Sequence, residues 1–115
     1  MDSAIVFTYS RAAAGRESMA LQSFADALAF FGKFAADGKC GEPLTLMGPS
    51  GHAYMIVPGS FEDLTHLVRL DEFHELFTKA VFAVPDLGYE IASYGEGVQA
   101  YMARWARVGG ELALM

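Results

Sequence analysis

Pro43-Leu44-Thr45-Leu46-Met47, then Gly48-Pro49-Ser50-Gly51, then His52-Ala53-Tyr54-Met55-Ile56-Val57: the fold turns on how this stretch is read. Two short apolar runs flank four turn-forming residues, the pattern of a β-hairpin. With Met47 opposite His52, Thr45 lies opposite Tyr54. One face then carries Thr45, Met47, His52, Tyr54 and Ile56, and the other Leu44, Leu46, Ala53, Met55 and Val57. The second set is wholly apolar and is predicted to pack beneath helices. The first is aromatic and semi-polar, which suits a second protomer or a pocket better than bulk water.

Upstream, Ala4 to Tyr9 is β-branched and aromatic with both faces largely apolar, as in a central strand covered on two sides. A helix is predicted from about Arg16 to Ala36. Its stripe is Leu21, Phe24, Leu28, Phe31 and Ala35, and Gly38 supplies the stop. Downstream, Pro58-Gly59 ends the third strand, and Ser60 with Asp63 forms a capping pattern. Phe61, Leu64, Leu67 and Val68 follow at helical spacing. Leu70-Asp71 interrupts the helix, with Asp71 recapping it, and Phe73, Leu76, Phe77, Ala80 and Val81 resume the stripe. Pro85-Asp86 stops it. Leu87 to Tyr94 reads as a fourth strand. Val98, Tyr101, Met102, Trp105 and Val108 mark a last helix, ended by Gly109-Gly110 and followed by five fraying residues. The expected architecture is one α+β domain over residues 1–115: a ferredoxin-like βαββαβ antiparallel sheet plus a C-terminal helix.

Hydrophobic residues make up 53% of the 115, and aromatic residues 13%. That exceeds the usual apolar share. A domain of this length buries roughly two-thirds of the surface its unfolded chain exposes. The surplus calls for an outlet, either self-association or a ligand-lined cavity. Fourteen acidic and eight basic side chains give a net charge of −6, with no cluster of Lys or Arg. That argues against nucleic acid and against membrane-surface binding through a basic helix, since both rest on clustered cations. Asp2 stands where a signal peptide would carry positive charge, and the apolar run Ala4 to Phe7 is too short for its core. No stretch approaches the ~20 apolar residues of a membrane span. A cytoplasmic location is expected, and a single cysteine, Cys40, fits it. Cys40 sits in a turn-like stretch where Lys39 would slightly lower its pKa; otherwise it is an incidental loop thiol.

The element order, a long first helix, a split second helix and a C-terminal helix resemble the dimeric α+β barrel superfamily. In that superfamily two such sheets pack face to face. The resemblance spans about residues 4 to 108, and Gly95-Glu96-Gly97-Val98 is similar to a segment of small uncharacterised bacterial members. It implies a homodimer. It leaves activity open, because the superfamily includes cofactor-independent monooxygenases, lactone isomerases, haem-dependent decolorising enzymes, YciI-like proteins and stress-responsive proteins. The monooxygenases use an Asn–Trp–Tyr set. This chain has no asparagine, and its one Trp105 falls in the terminal helix. The His–Asp pair of YciI-like members has no counterpart that the sequence places.

No metal site is expected. His66 and His74 are eight residues apart across a helix break, and no HExxH or carboxylate–His pattern joins them to His52. No cofactor is expected either, although a haem would need only one proximal His. Gly48-Pro49-Ser50-Gly51 lacks the Gly-Lys-Ser/Thr ending and the helix that a phosphate loop requires. His52 and Tyr54 lie two apart on one strand, so they point the same way. Such a pair can bind or deprotonate a phenol; the plain alternative is a hairpin-end residue beside an interface tyrosine. Glu90, inside the fourth strand, would act as an acid or base if covered. Equally, it would be inert if exposed at an edge or paired with Arg69 or Arg104. The candidate set is therefore His52 and Glu90 as catalytic residues, with Tyr54, Tyr9 and Met47 as ligand contacts. The expected function is a homodimer that binds or transforms a small aromatic or lipophilic molecule without a cofactor. The competing expectation is a non-enzymatic structural or stress-related interaction module.

Overall fold

In β1 (Ser3–Tyr9) the alternate residues Ile5 and Phe7 are buried, and they fix which side of the sheet the helices cover. The computed structural model describes residues 2–50 and 52–113. Along the chain β1 is followed by α1 (Glu17–Ala36), β2 (Leu44–Met47), β3 (Ala53–Gly59), α2 (Phe61–Val68), α3 (Asp71–Ala83), β4 (Gly88–Ser93) and α4 (Glu96–Glu111). The strands form one antiparallel sheet in the order β2-β3-β1-β4. The fold is the expected ferredoxin-like α+β arrangement, with α4 appended.

The core lies between the sheet and the helices. Ile5, Phe7, Met55 and Val57 of the two central strands meet Phe30 and Phe31 of α1, Leu64 and Leu67 of α2, and Phe73 of α3. Phe7, Phe31 and Phe73 pack as a ring cluster, with centroids 5.8 Å apart for Phe7–Phe31 and 6.3 Å for both Phe7–Phe73 and Phe31–Phe73. Each fully buried aromatic of this kind stabilises the fold by roughly 1.5–3 kcal/mol relative to an exposed one. Ser60 caps α2 as expected, its hydroxyl accepting from the Asp63 amide at 3.1 Å. Gly59, the last residue of β3, leaves room for Leu64, whose Cδ2 lies 2.8 Å from where a Cβ would stand.

The hairpin register differs from the expected one. Met47 pairs with Ala53, Leu46 with Tyr54, Thr45 with Met55 and Leu44 with Ile56. The Gly48 amide donates to the His52 carbonyl at 3.0 Å, so the connection runs from Gly48 to His52 and is five residues long. Gly51, within the expected turn, lies outside the described residues. One extra loop residue flips β2 over relative to β3. Leu44 and Leu46 therefore join Tyr54 and Ile56 on the uncovered face, while Thr45 and Met47 turn toward the helices.

Three element ends also differ. β3 continues through Pro58, which pairs with Ala4. The Gly41 amide donates to the Pro58 carbonyl at 2.7 Å on the side away from β1, so the missing proline N–H costs no ladder bond. Asp71 is the first residue of α3 and Leu70 its cap. α4 runs through Gly109-Gly110 to Glu111, braced by an Arg107–Glu111 ion pair one helical turn apart at 3.0 Å. Leu114 and Met115 lie outside the described residues. Gly95 starts α4 at φ +60°, a backbone geometry that favours glycine.

None of the α4 residues is buried. The helix adds length: the radius of gyration is 16.3 Å, against about 13 Å for a compact domain of this size.

Candidate functional site

The N-terminal half of α1 stands over the sheet without closing on it. Phe30 and Phe31 seal the C-terminal half, but Leu21 is exposed and Phe24 only half-buried, although both belong to the apolar stripe. Beneath them lies a cavity of about 570 Å³ between α1, α3 and the helix-facing side of the sheet. That volume falls in the range of small-molecule sites. Its walls are mostly apolar: Phe7 and Met55 from the sheet, Phe24 and Ala27 from α1, Leu76 and Phe77 from α3. Polar groups gather at the solvent side, namely Tyr9, Ser10, Arg11, Glu17 and Ser50.

Two sets of contacts hold the mouth. The Ala13 amide donates to the Ala83 carbonyl at 2.8 Å, and Arg16 Nη1 donates to the Phe82 carbonyl at 2.5 Å. These tie the loop before α1 to the end of α3. Next to them, Ser10 donates to Asp86 Oδ2 twice, from its amide at 3.0 Å and from its hydroxyl. The Ser10 hydroxyl bond, foremost, holds the Asp86 carboxyl below its ordinary range, and the charge of His52 adds to this. Glu17 accepts from the Gly15 amide at 3.2 Å. Burial pushes the Tyr9 phenol above its usual pKa, so near neutrality it is a protonated hydroxyl that can donate.

The sequence-predicted residues fall in three places. Tyr9 and Met47 both line the cavity. Tyr54 and Glu90 lie on the opposite, uncovered face. There Thr8 pairs with Tyr54 and Val6 with both Ile56 and Glu90. Glu90 is exposed, as one of its two sequence readings had it. His52 is exposed at the end of the hairpin loop and does not line the cavity; it lies within the electrostatic reach of Asp86, which bonds to the lining residue Ser10. The structure thus puts Tyr9 and Met47 on the cavity side of the sheet and Tyr54 and Glu90 on the other, the latter two on strands flanking β1 and not in register with each other.

Sequence reasoning expected a cavity but missed its place beneath α1. The small residues Ala20, Ser23, Ala27 and Ala80 were the available signal, since they line it where a filled core would need bulk. It also missed Arg11. Cys40 is a correction: it is buried, its thiol donates to the Phe31 carbonyl at 3.6 Å, and burial, then Glu42 and Asp63, push its pKa up. It is not activated by Lys39. Among the described residues, no group of His, Cys, Asp and Glu gathers in a way that could hold a metal. No described helix is long and apolar enough to cross a membrane.

No family model matches the chain, and no curated protein sequence matches it significantly. Solved structures do match in fold. SnoaB, a cofactor-independent oxygenase from Streptomyces nogalater, is 10% identical with a TM-score of 0.62, covering 83% of this chain and 95% of SnoaB. A conserved protein of unknown function from Bacteroides thetaiotaomicron, described as a possible oxidoreductase, is 10% identical with a TM-score of 0.64, covering 81% and 98%. A conserved protein from Methanosarcina mazei Go1 is 11% identical with a TM-score of 0.63, covering 83% and 95%. At these identities the likeness is one of fold, and the fold of this chain is that of SnoaB and its structural neighbours.

Proposed function

We propose that this protein binds a small lipophilic or aromatic molecule in the cavity beneath α1, and does so as a homodimer without a cofactor. The observation that carries the reading is the cavity of about 570 Å³, apolar on its walls and polar at its mouth. Tyr9 and Met47 contact the ligand, and His52, outside the lining at the end of the hairpin loop, is the nearby imidazole able to pass a proton. The fold shared with a cofactor-independent oxygenase and a possible oxidoreductase is compatible with chemistry on such a ligand. Tyr54 and Glu90 belong to the second element of the proposal: the uncovered sheet face, with Leu44, Leu46 and Ile56, packs on a second copy.

Native mass spectrometry tests both elements. The expected result is a dimer that retains added 1-pyrenebutanol, and loses it when Ala20→Trp fills the cavity. A dimer that binds the probe equally well in the Ala20→Trp variant would place binding elsewhere and sink the cavity reading. A second reading, a non-enzymatic interaction module, draws on the stripe of Tyr101, Met102 and Trp105 exposed along α4. It predicts no retained ligand.

A further inference from the structure

The cavity's polar mouth is asymmetric in what it offers. The carboxylates there are already engaged: Glu17 of the lining accepts a hydrogen bond from the Gly15 amide, and Asp86, next to the lining, accepts two from Ser10. Its strongest donors are not. Among the described residues, no carboxylate lies within ion-pair distance of Arg11, and Arg11 and the Tyr9 hydroxyl make no side-chain hydrogen bond. Arg16, the other nearby guanidinium, is spent on the Phe82 carbonyl. The mouth therefore presents one uncommitted planar cation and one uncommitted hydroxyl donor above apolar walls. Acceptors are the groups such a rim recognises, and an anionic oxygen pair matches a guanidinium best.

We infer that the cavity's ligand is an amphipathic organic acid: an aromatic or aliphatic body of low polarity inside, and a carboxylate at the mouth, held by Arg11 with Tyr9 donating beside it. This rests on the binding reading above and names the ligand class for the same site. A guanidinium can hold both carboxylate oxygens at once, and Tyr9 adds a third donor. Glu17 opposes an anion by charge, so recognition depends on Arg11 and not on the net potential of a chain carrying −6.

The test compares 1-pyrenebutyrate with 1-pyrenebutanol, which share an apolar body and differ in the head group. Fluorescence titration of the wild-type protein should show the acid bound about tenfold tighter, the scale of one hydrogen-bonded charge contact. Arg11→Gln should remove that preference, weakening the acid about tenfold more than the alcohol. Arg11→Lys should restore only part of it, since an ammonium lacks the fork. Tyr9→Phe should weaken the acid by a smaller factor. Equal binding of acid and alcohol by the wild-type protein, both blocked by Ala20→Trp, would leave the cavity reading standing and overturn the organic-acid inference. A preference for the acid that survives Arg11→Gln would overturn it too. Binding of neither probe would overturn both readings.

Discussion

The two faces of the sheet are built from the same strands and the same kinds of residue, yet they have opposite fates. Met55 and Ile56 are neighbours in β3. Met55 is buried under the helices against Phe7 and Phe31, while Ile56 looks out across the uncovered face beside Val6 and Leu44. The helix side has more cover than it fills and keeps a cavity. The other side has apolar side chains and no cover, with Leu44, Leu46 and Tyr54 all at least two-fifths exposed. Hydrophobicity alone does not tell a core from an interface. What separates them is whether the chain itself supplies the second layer.

The comparison can be broken most forcefully from the core. Phe31, 1% exposed at the centre of the ring cluster, should cost about 3–5 kcal/mol when changed to Ala. Tyr54→Ala, measured at concentrations low enough to hold the protein monomeric, should cost under about 1 kcal/mol, as surface changes do. Urea unfolding of the two variants side by side gives the ratio, and similar costs would mean that the uncovered face is part of the folding core. The next effect is on assembly. Tyr54→Glu should convert a dimer to a folded monomer by light scattering with unchanged circular dichroism, because it buries a charge against a second copy. A stable dimer in that variant would show that the copies meet elsewhere, for instance through α4.

The smallest expected effect is at Asp86, which bonds to Ser10 beside the cavity. The Asp86 carboxyl is held below its ordinary range by Ser10, so its folded-state pKa is the lower one. Its contribution to stability is present above the ordinary carboxylate range and fades as pH falls through the depressed value. Asp86→Asn should therefore lower the melting temperature slightly at pH 7, with the gap closing toward pH 3. A gap that stays constant or widens on acidification would contradict the sign.

The element order was legible because strand and helix periodicities were strong and punctuated by Gly38, Ser60 and Pro85. Which β2 residues face outward was not, because it turned on a single loop residue. Taking His52 as the end of the turn instead of the start of the strand exchanges Leu44 and Leu46 for Thr45 and Met47. The glycines of α4 misled for a different reason. Gly109-Gly110 weakens a helix by about 1 kcal/mol per residue, yet the helix continues through both to Glu111, where the exposed Arg107–Glu111 pair returns only a few tenths of that, about 0.3–0.5 kcal/mol. The site was only half legible. Tyr9 and Met47 converge because β1 and the hairpin end at the same edge, but the one sign in the sequence that the stripe of α1 hangs over a gap is the set of small residues Ala20, Ser23, Ala27 and Ala80. Leu21 and Phe24 look like any core positions until their partners are found to be small.

α1 is supported at both ends: by Phe30 and Phe31 on the aromatic cluster at one, and by Ala13 and Arg16 hung from the end of α3 at the other. Between them it behaves as a lintel over an opening. A lintel carries its own span, so a guest need not lift it. Entry then requires little backbone adjustment, and affinity is governed by how well the guest wets the walls and meets the rim, with scant conformational cost subtracted beforehand.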